Sequence, residues 1–181
     1  MQKIKQVSFV LRLLFTAAFI ALPVYVMTYW ISGGHPFGVQ FPIAVFGYDG
    51  PNLPPVSTLT TSLKTLGFFI NLIPVAFYMT ILGLLIHLFK LYEKSEIFTK
   101  NNVKTIRNIG FAMLLNKAVC PFFGFLLSYT LTQSNPPGYR FAYLGISIQD
   151  ISIMVIAVLI ILISWIMAEA YKLQEEQQYT V

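Results

Sequence analysis

The chain has 181 residues, of which 56% are hydrophobic and 10% charged, and its mean hydropathy is +0.70. Soluble domains carry about 25% charged residues, and 12 Lys+Arg with 7 Asp+Glu cannot coat a globular core of this length. The composition points to an integral membrane protein. It excludes a disordered chain, a secreted disulfide scaffold and an ordinary nucleic-acid-binding domain, and the single Cys120 rules out an intrachain disulfide.

A helix needs roughly 20 apolar residues to cross a hydrocarbon core about 30 Å thick. Four windows meet that length, at 7–31, 66–89, 109–131 and 148–170. The first begins after Lys3 and Lys5, but its apolar run is too long for a signal peptide and no small-residue cleavage site follows it. It therefore reads as an uncleaved anchor, with Tyr29 and Trp30 suited to an interface belt. The connection at 32–64 is rich in Gly and Pro, and its stretch 38–48 is apolar and aromatic; a short β-hairpin and a flap lying on the membrane both fit. The second window carries Asn71, Pro74 and His87 and has no Lys, Arg, Asp or Glu.

The next connection is short and basic. Its second helix is expected to start at Thr99, a plausible N-cap. Lys100, Lys104 and Arg107 then share one helical face, and Val103, Ile106 and Gly110 another. Glu93 and Glu96 are placed to pair with Lys100 and Lys104. The third window holds Asn116, Lys117 and Pro121. Lys117 can snorkel toward the near interface, with Glu169 as a candidate partner and His87 at a similar level. The connection at 132–147 is turn-rich, with aromatics suited to an interface. Asp150 and Glu169 lie near the two ends of the fourth window. Polar groups inside a span are the first places to seek function, which singles out Asn71, His87, Asn116, Lys117, Asp150 and Glu169.

Basic residues set the orientation. Nine of the twelve lie at the N-terminus, the central connection and the tail, against Lys64 and Arg140 on the opposite side, with Lys117 within a span. The expectation is a single domain over 1–181. It is an all-α membrane protein with four transmembrane helices in an up-down bundle, with both termini cytoplasmic and a structured, short-β first extracytoplasmic loop.

Chemistries with fixed residue needs can be discounted by counting. One cysteine is too few for a disulfide oxidase, and one intramembrane histidine, His87, is too few for a bis-histidine haem. There is no Ser–His dyad at matching depth, no acidic metal cluster and no Gly-rich phosphate loop. Neither catalysis nor a cofactor is expected.

Two segments carry a resemblance. After the second window, Phe98, Asn102, Arg107 and Gly110 occur at a recognisable spacing, and a tail containing Glu175 and Glu176 follows the fourth. Together with the span count, they resemble the bacterial domain-of-unknown-function 2975 family of small four-span membrane proteins. The resemblance implies a plasma-membrane (inner-membrane) regulatory protein. Its partner would be a small cytoplasmic helix-turn-helix regulator of the Xre type, held through Phe98, Asn102, Lys104, Arg107, Gly110, Glu175 and Glu176. Membrane lipids are the other expected partners. Homo-oligomerisation stays open, and no direct nucleic-acid contact is expected. A small transporter or channel-like protein, or an accessory subunit of a membrane complex, is the alternative.

Overall fold

The computed structural model describes residues 2–33, 53–97 and 99–179. It is helical: α1 (Gln2–Ser32), a short 3-10 helix (Val56–Thr58), α2 (Thr61–Glu93), α3 (Lys100–Thr132) and α4 (Ile148–Tyr179). All four α-helices are long and apolar enough to cross a membrane. The described residues contain no strand. The stretch 38–48, expected as a hairpin or flap, lies outside them.

Each helix exceeds its apolar window. α2 and α3 have 33 residues each, roughly 50 Å of helix at 1.5 Å per residue, against about 30 Å of hydrocarbon. Both therefore have turns to spare beyond the apolar layer. Pro23, Pro74 and Pro121 sit inside α1, α2 and α3. Each removes one backbone hydrogen bond, a loss that neighbouring groups make good in membrane helices. The surface agrees with a lipid solvent, since Val155, Leu159, Ile163 and Ile166 of α4 are all at least half exposed.

The chain divides into two compact units, one of residues 1–19, 79–115 and 148–181 and the other of 20–78 and 116–147. In the first, Phe15 of α1 stacks on Phe89 of α2 at 5.6 Å between ring centroids. Gly110 of α3 lies directly on α4, where a Cβ at that position would stand 2.6 Å from Ile161 Cγ1 and 3.0 Å from the Ala157 carbonyl oxygen. Without a large hydrophobic driving force between helices in lipid, small residues that permit such approach do much of the packing.

In the second unit the Trp30 ring of α1 lies on Gly67 of α2, with Cη2 2.3 Å from where a Cβ would be. α1 ends at Gly33, whose φ of +77° turns the chain and whose missing side chain admits the backbone of Ser57. The connection after α3 is tied back by buried hydroxyls. Ser128 Oγ accepts the Tyr143 N–H at 2.8 Å, and Thr132 Oγ1 accepts the Phe141 N–H at 3.3 Å. These two residues stand one turn apart on α3, a spacing readable in the sequence but not recognised there as a loop anchor.

Candidate functional site

The described residues expected to engage a partner lie in the opening turns of α3 and in the tail of α4, all within the first unit. The turn is built by three local devices. α2 closes with a Schellman motif: the Ser95 N–H donates to the Tyr92 carbonyl and the Glu96 N–H to the Leu91 carbonyl, both at 3.0 Å. The motif puts Ser95 at φ +64°, a left-handed conformation that glycine would occupy with less strain. α3 opens at Lys100 with Thr99 as N-cap, whose Oγ1 accepts the Asn102 N–H at 3.2 Å. The Asn102 side chain then reaches back across the turn, its Nδ2 donating to the Ile97 carbonyl.

Asn102 is fully buried, and its Oδ1 has no hydrogen-bond partner among the described residues. It is therefore committed to the turn and is not presented to a partner. Gly110 is likewise covered, by α4. Phe98 lies outside the described residues.

What the turn presents is charge. Lys104 and Arg107 are exposed one turn apart on α3, with Asn108 beside them. Neither Lys104 nor Arg107 has a carboxylate partner among the described residues. The expected pairing of Glu93 and Glu96 with Lys100 and Lys104 is not formed. Arg12 of α1 takes Glu93 instead, Nε to Oε1 at 2.9 Å, in an ion pair whose N–H is not aligned as a hydrogen bond. Lys100 turns to the tail, where its Nζ is 3.2 Å from Glu175 Oε2 and 5.3 Å from the centre of the Tyr171 ring. At 71% and 38% side-chain exposure, the Lys100–Glu175 pair contributes about 0–1 kcal/mol. The turn and the tail are thus joined by a weak clasp. Glu176, beside it, is exposed.

Of the polar residues in the apolar windows, His87, Asp150 and Glu169 fall in the first unit and Asn71, Asn116 and Lys117 in the second. His87 and Asn101 meet at the limit of hydrogen bonding, 3.5 Å. Glu169 pairs with Lys172 of its own helix at 3.2 Å. Lys117 is half-buried on α3, and Asp150 stands in the first turn of α4, where a carboxylate is favoured by the helix dipole. Asn116 is buried and accepts a hydrogen bond from the Cys120 thiol at 2.8 Å. Asn71 is 1% exposed, and neither its Nδ2 nor its Oδ1 has a hydrogen-bond partner among the described residues. No group of three or more His, Cys, Asp or Glu able to hold a metal occurs among the described residues.

Residues 54–181, from just before the 3-10 helix to the end of the chain, match the family described as "Protein of unknown function (DUF2975)". The chain belongs to the DUF2975 family. The match takes in the whole α2–α3 turn and the α4 tail, the two segments that carried the resemblance. No curated protein and no solved structure matches this DUF2975 member.

Proposed function

We propose that this DUF2975 protein is a non-enzymatic regulator of the bacterial plasma membrane. It crosses the membrane four times as an up-down bundle, with both termini and the α2–α3 turn cytoplasmic. There it holds a small helix-turn-helix regulator of the Xre type. Nine basic residues against two support the orientation.

The observation that carries the reading is the division of labour at the turn. Thr99 and Asn102 are spent on holding the backbone, while Lys104 and Arg107 stand exposed on the rigid helix without a carboxylate partner among the described residues. Topology alone asks for positive charge near the membrane, not for a capped and bridged turn to display it. The partner surface that fits is acidic. The Lys100–Glu175 clasp gives a route for regulation, because an acidic partner competes with Glu175 for Lys100.

The test is fractionation after co-expression with the regulator encoded beside this chain. The regulator is expected in the membrane fraction. Lys104→Gln with Arg107→Gln should weaken its binding about tenfold, from roughly 0.7 kcal/mol per rim charge, and move it to the soluble fraction. A regulator that partitions identically with both proteins, while a C-terminal fusion shows the variant correctly inserted, removes the proposal.

The buried amide of Asn71, unpartnered among the described residues, favours a second reading, a small transporter or channel-like protein. Buried unpartnered amides cost about 1–3 kcal/mol and are retained where a passing solute or water pairs with them. Asn71→Leu should then abolish flux in proteoliposomes with expression unchanged; on the regulatory reading it leaves the regulator in the membrane fraction.

A further inference from the structure

A groove of about 420 Å³ runs between the end of α1 and the start of α2, all within the second unit. Its volume lies in the roughly 300–1,000 Å³ range of small-molecule sites. The α1 side is apolar, formed by Met27, Trp30 and Ile31; the α2 side carries Lys64 between the hydroxyl residues Thr61 and Thr65, with Phe68 one turn further along. Met27 and Ile31 are 58% and 70% exposed, so the groove opens onto the lipid-facing surface.

Its charge is unbalanced. Among the described residues no acidic one lines it, and half-buried Lys64 has no carboxylate partner there. Lys64 stands near the N-terminus of α2, whose first turn has no acidic residue, so the cation adds to the positive end of the helix dipole instead of opposing it. Arg140, the other basic residue on the Lys64 side of the expected orientation, donates through Nε to the Asn135 carbonyl at 3.0 Å. Lys64 is thus a cation held beside hydroxyls at the polar mouth of an apolar, lipid-facing groove.

We propose that this groove binds an anionic phospholipid. The phosphate sits at Lys64, the glycerol region at the hydroxyls of Thr61 and Thr65, and the first part of an acyl chain lies along Met27, Ile31 and Phe68. The Thr65 hydroxyl proton is already given to the Thr61 carbonyl at 2.9 Å, so Thr65 serves as an acceptor for a headgroup hydroxyl. A zwitterionic lipid brings its own cation to the same place and loses the advantage.

Trp30 reports on the site directly. The chain has two tryptophans, and Trp165→Phe leaves Trp30 alone. The full chain with that change is reconstituted into phosphatidylcholine vesicles containing acyl-brominated phosphatidylglycerol or acyl-brominated phosphatidylcholine at equal mole fraction. Trp30 quenching should give about a fivefold higher relative association constant for the anionic lipid, the factor that about 1 kcal/mol per basic residue near a membrane supplies. Lys64→Arg should keep the preference, and Lys64→Gln should bring it to about one. Equal quenching by the two lipids in the Lys64 chain overturns the proposal, as does a preference that survives Lys64→Gln.

Discussion

Two glycines of α3 should respond in opposite senses to the same change. At Gly110 an added Cβ would stand 2.6 Å from Ile161 Cγ1, 3.0 Å from the Ala157 carbonyl oxygen and 3.3 Å from the Ile161 nitrogen. Carbon atoms prefer about 3.5–4.0 Å, so the overlap is close to 1 Å. Two of the three atoms are backbone, and rotating a side chain cannot relieve it. Ala157 is fully buried, so α4 itself must shift. Overpacking of this kind costs about 1–3 kcal/mol, offset by about 1 kcal/mol of gained helix propensity. With backbone in the way the upper half of the range applies, and Gly110→Ala should destabilise by about 1–2 kcal/mol. At Gly124 nothing lies within 4 Å of an added Cβ, so only the propensity gain remains and Gly124→Ala should stabilise by about 0.5–1 kcal/mol. The assay is reversible SDS unfolding in mixed micelles, followed by tryptophan fluorescence. A Gly110→Ala protein as stable as its parent, or as stable as Gly124→Ala, refutes the contact as the reason for the glycine.

The α2–α3 turn supplies two more tests in the same titration. Ser95→Gly should stabilise by about 0.5–1 kcal/mol by relieving the left-handed strain at φ +64°; a loss of stability shows that the serine side chain has another task. Asn102→Ala removes the donor to the Ile97 carbonyl and should cost about 1–3 kcal/mol. Asn102→Asp sets an acceptor against that carbonyl in a fully buried site and should cost more, so an aspartate milder than the alanine contradicts the assigned bond.

Much of the turn is legible in the sequence because its determinants are local. Thr99 stands three residues before Asn102, whose N–H it caps, and helix geometry alone groups Lys104 with Arg107 and Val103 with Gly110 on adjoining faces. The ion pairs are not legible in the same way. From the sequence, Glu93 and Glu96 have the nearby Lys100 and Lys104 as partners; the fold gives Glu93 to Arg12 and sends Lys100 to Glu175, 75 residues away. Long flexible side chains choose whichever opposite charge the packing brings near, and chain proximity does not decide it. The candidate site contracts for the same reason. Asn102 and Gly110 belong to the motif, but one is consumed by the turn and the other by α4, which leaves Lys104 and Arg107 to meet a partner.

Composition and periodicity by themselves determined a membrane protein with four spanning helices, because a chain with so few charges cannot face water and the bilayer thickness dictates the run length. The DUF2975 spacing at the central turn could also be read directly, as could the concentration of basic residues there. Only the tertiary structure decided which small residues are contact points, since Gly110 and Gly124 differ in nothing but what the fold places beside them. It alone placed Trp30 on Gly67 and set the apolar end of α1 beside Lys64. Lys64, one of only two basic residues on its side of the sequence-based orientation, became a candidate site only there. A helical span fixes how far a residue lies along its own axis, whereas neighbours across helices follow from the packing of whole faces, which no local pattern in the chain encodes.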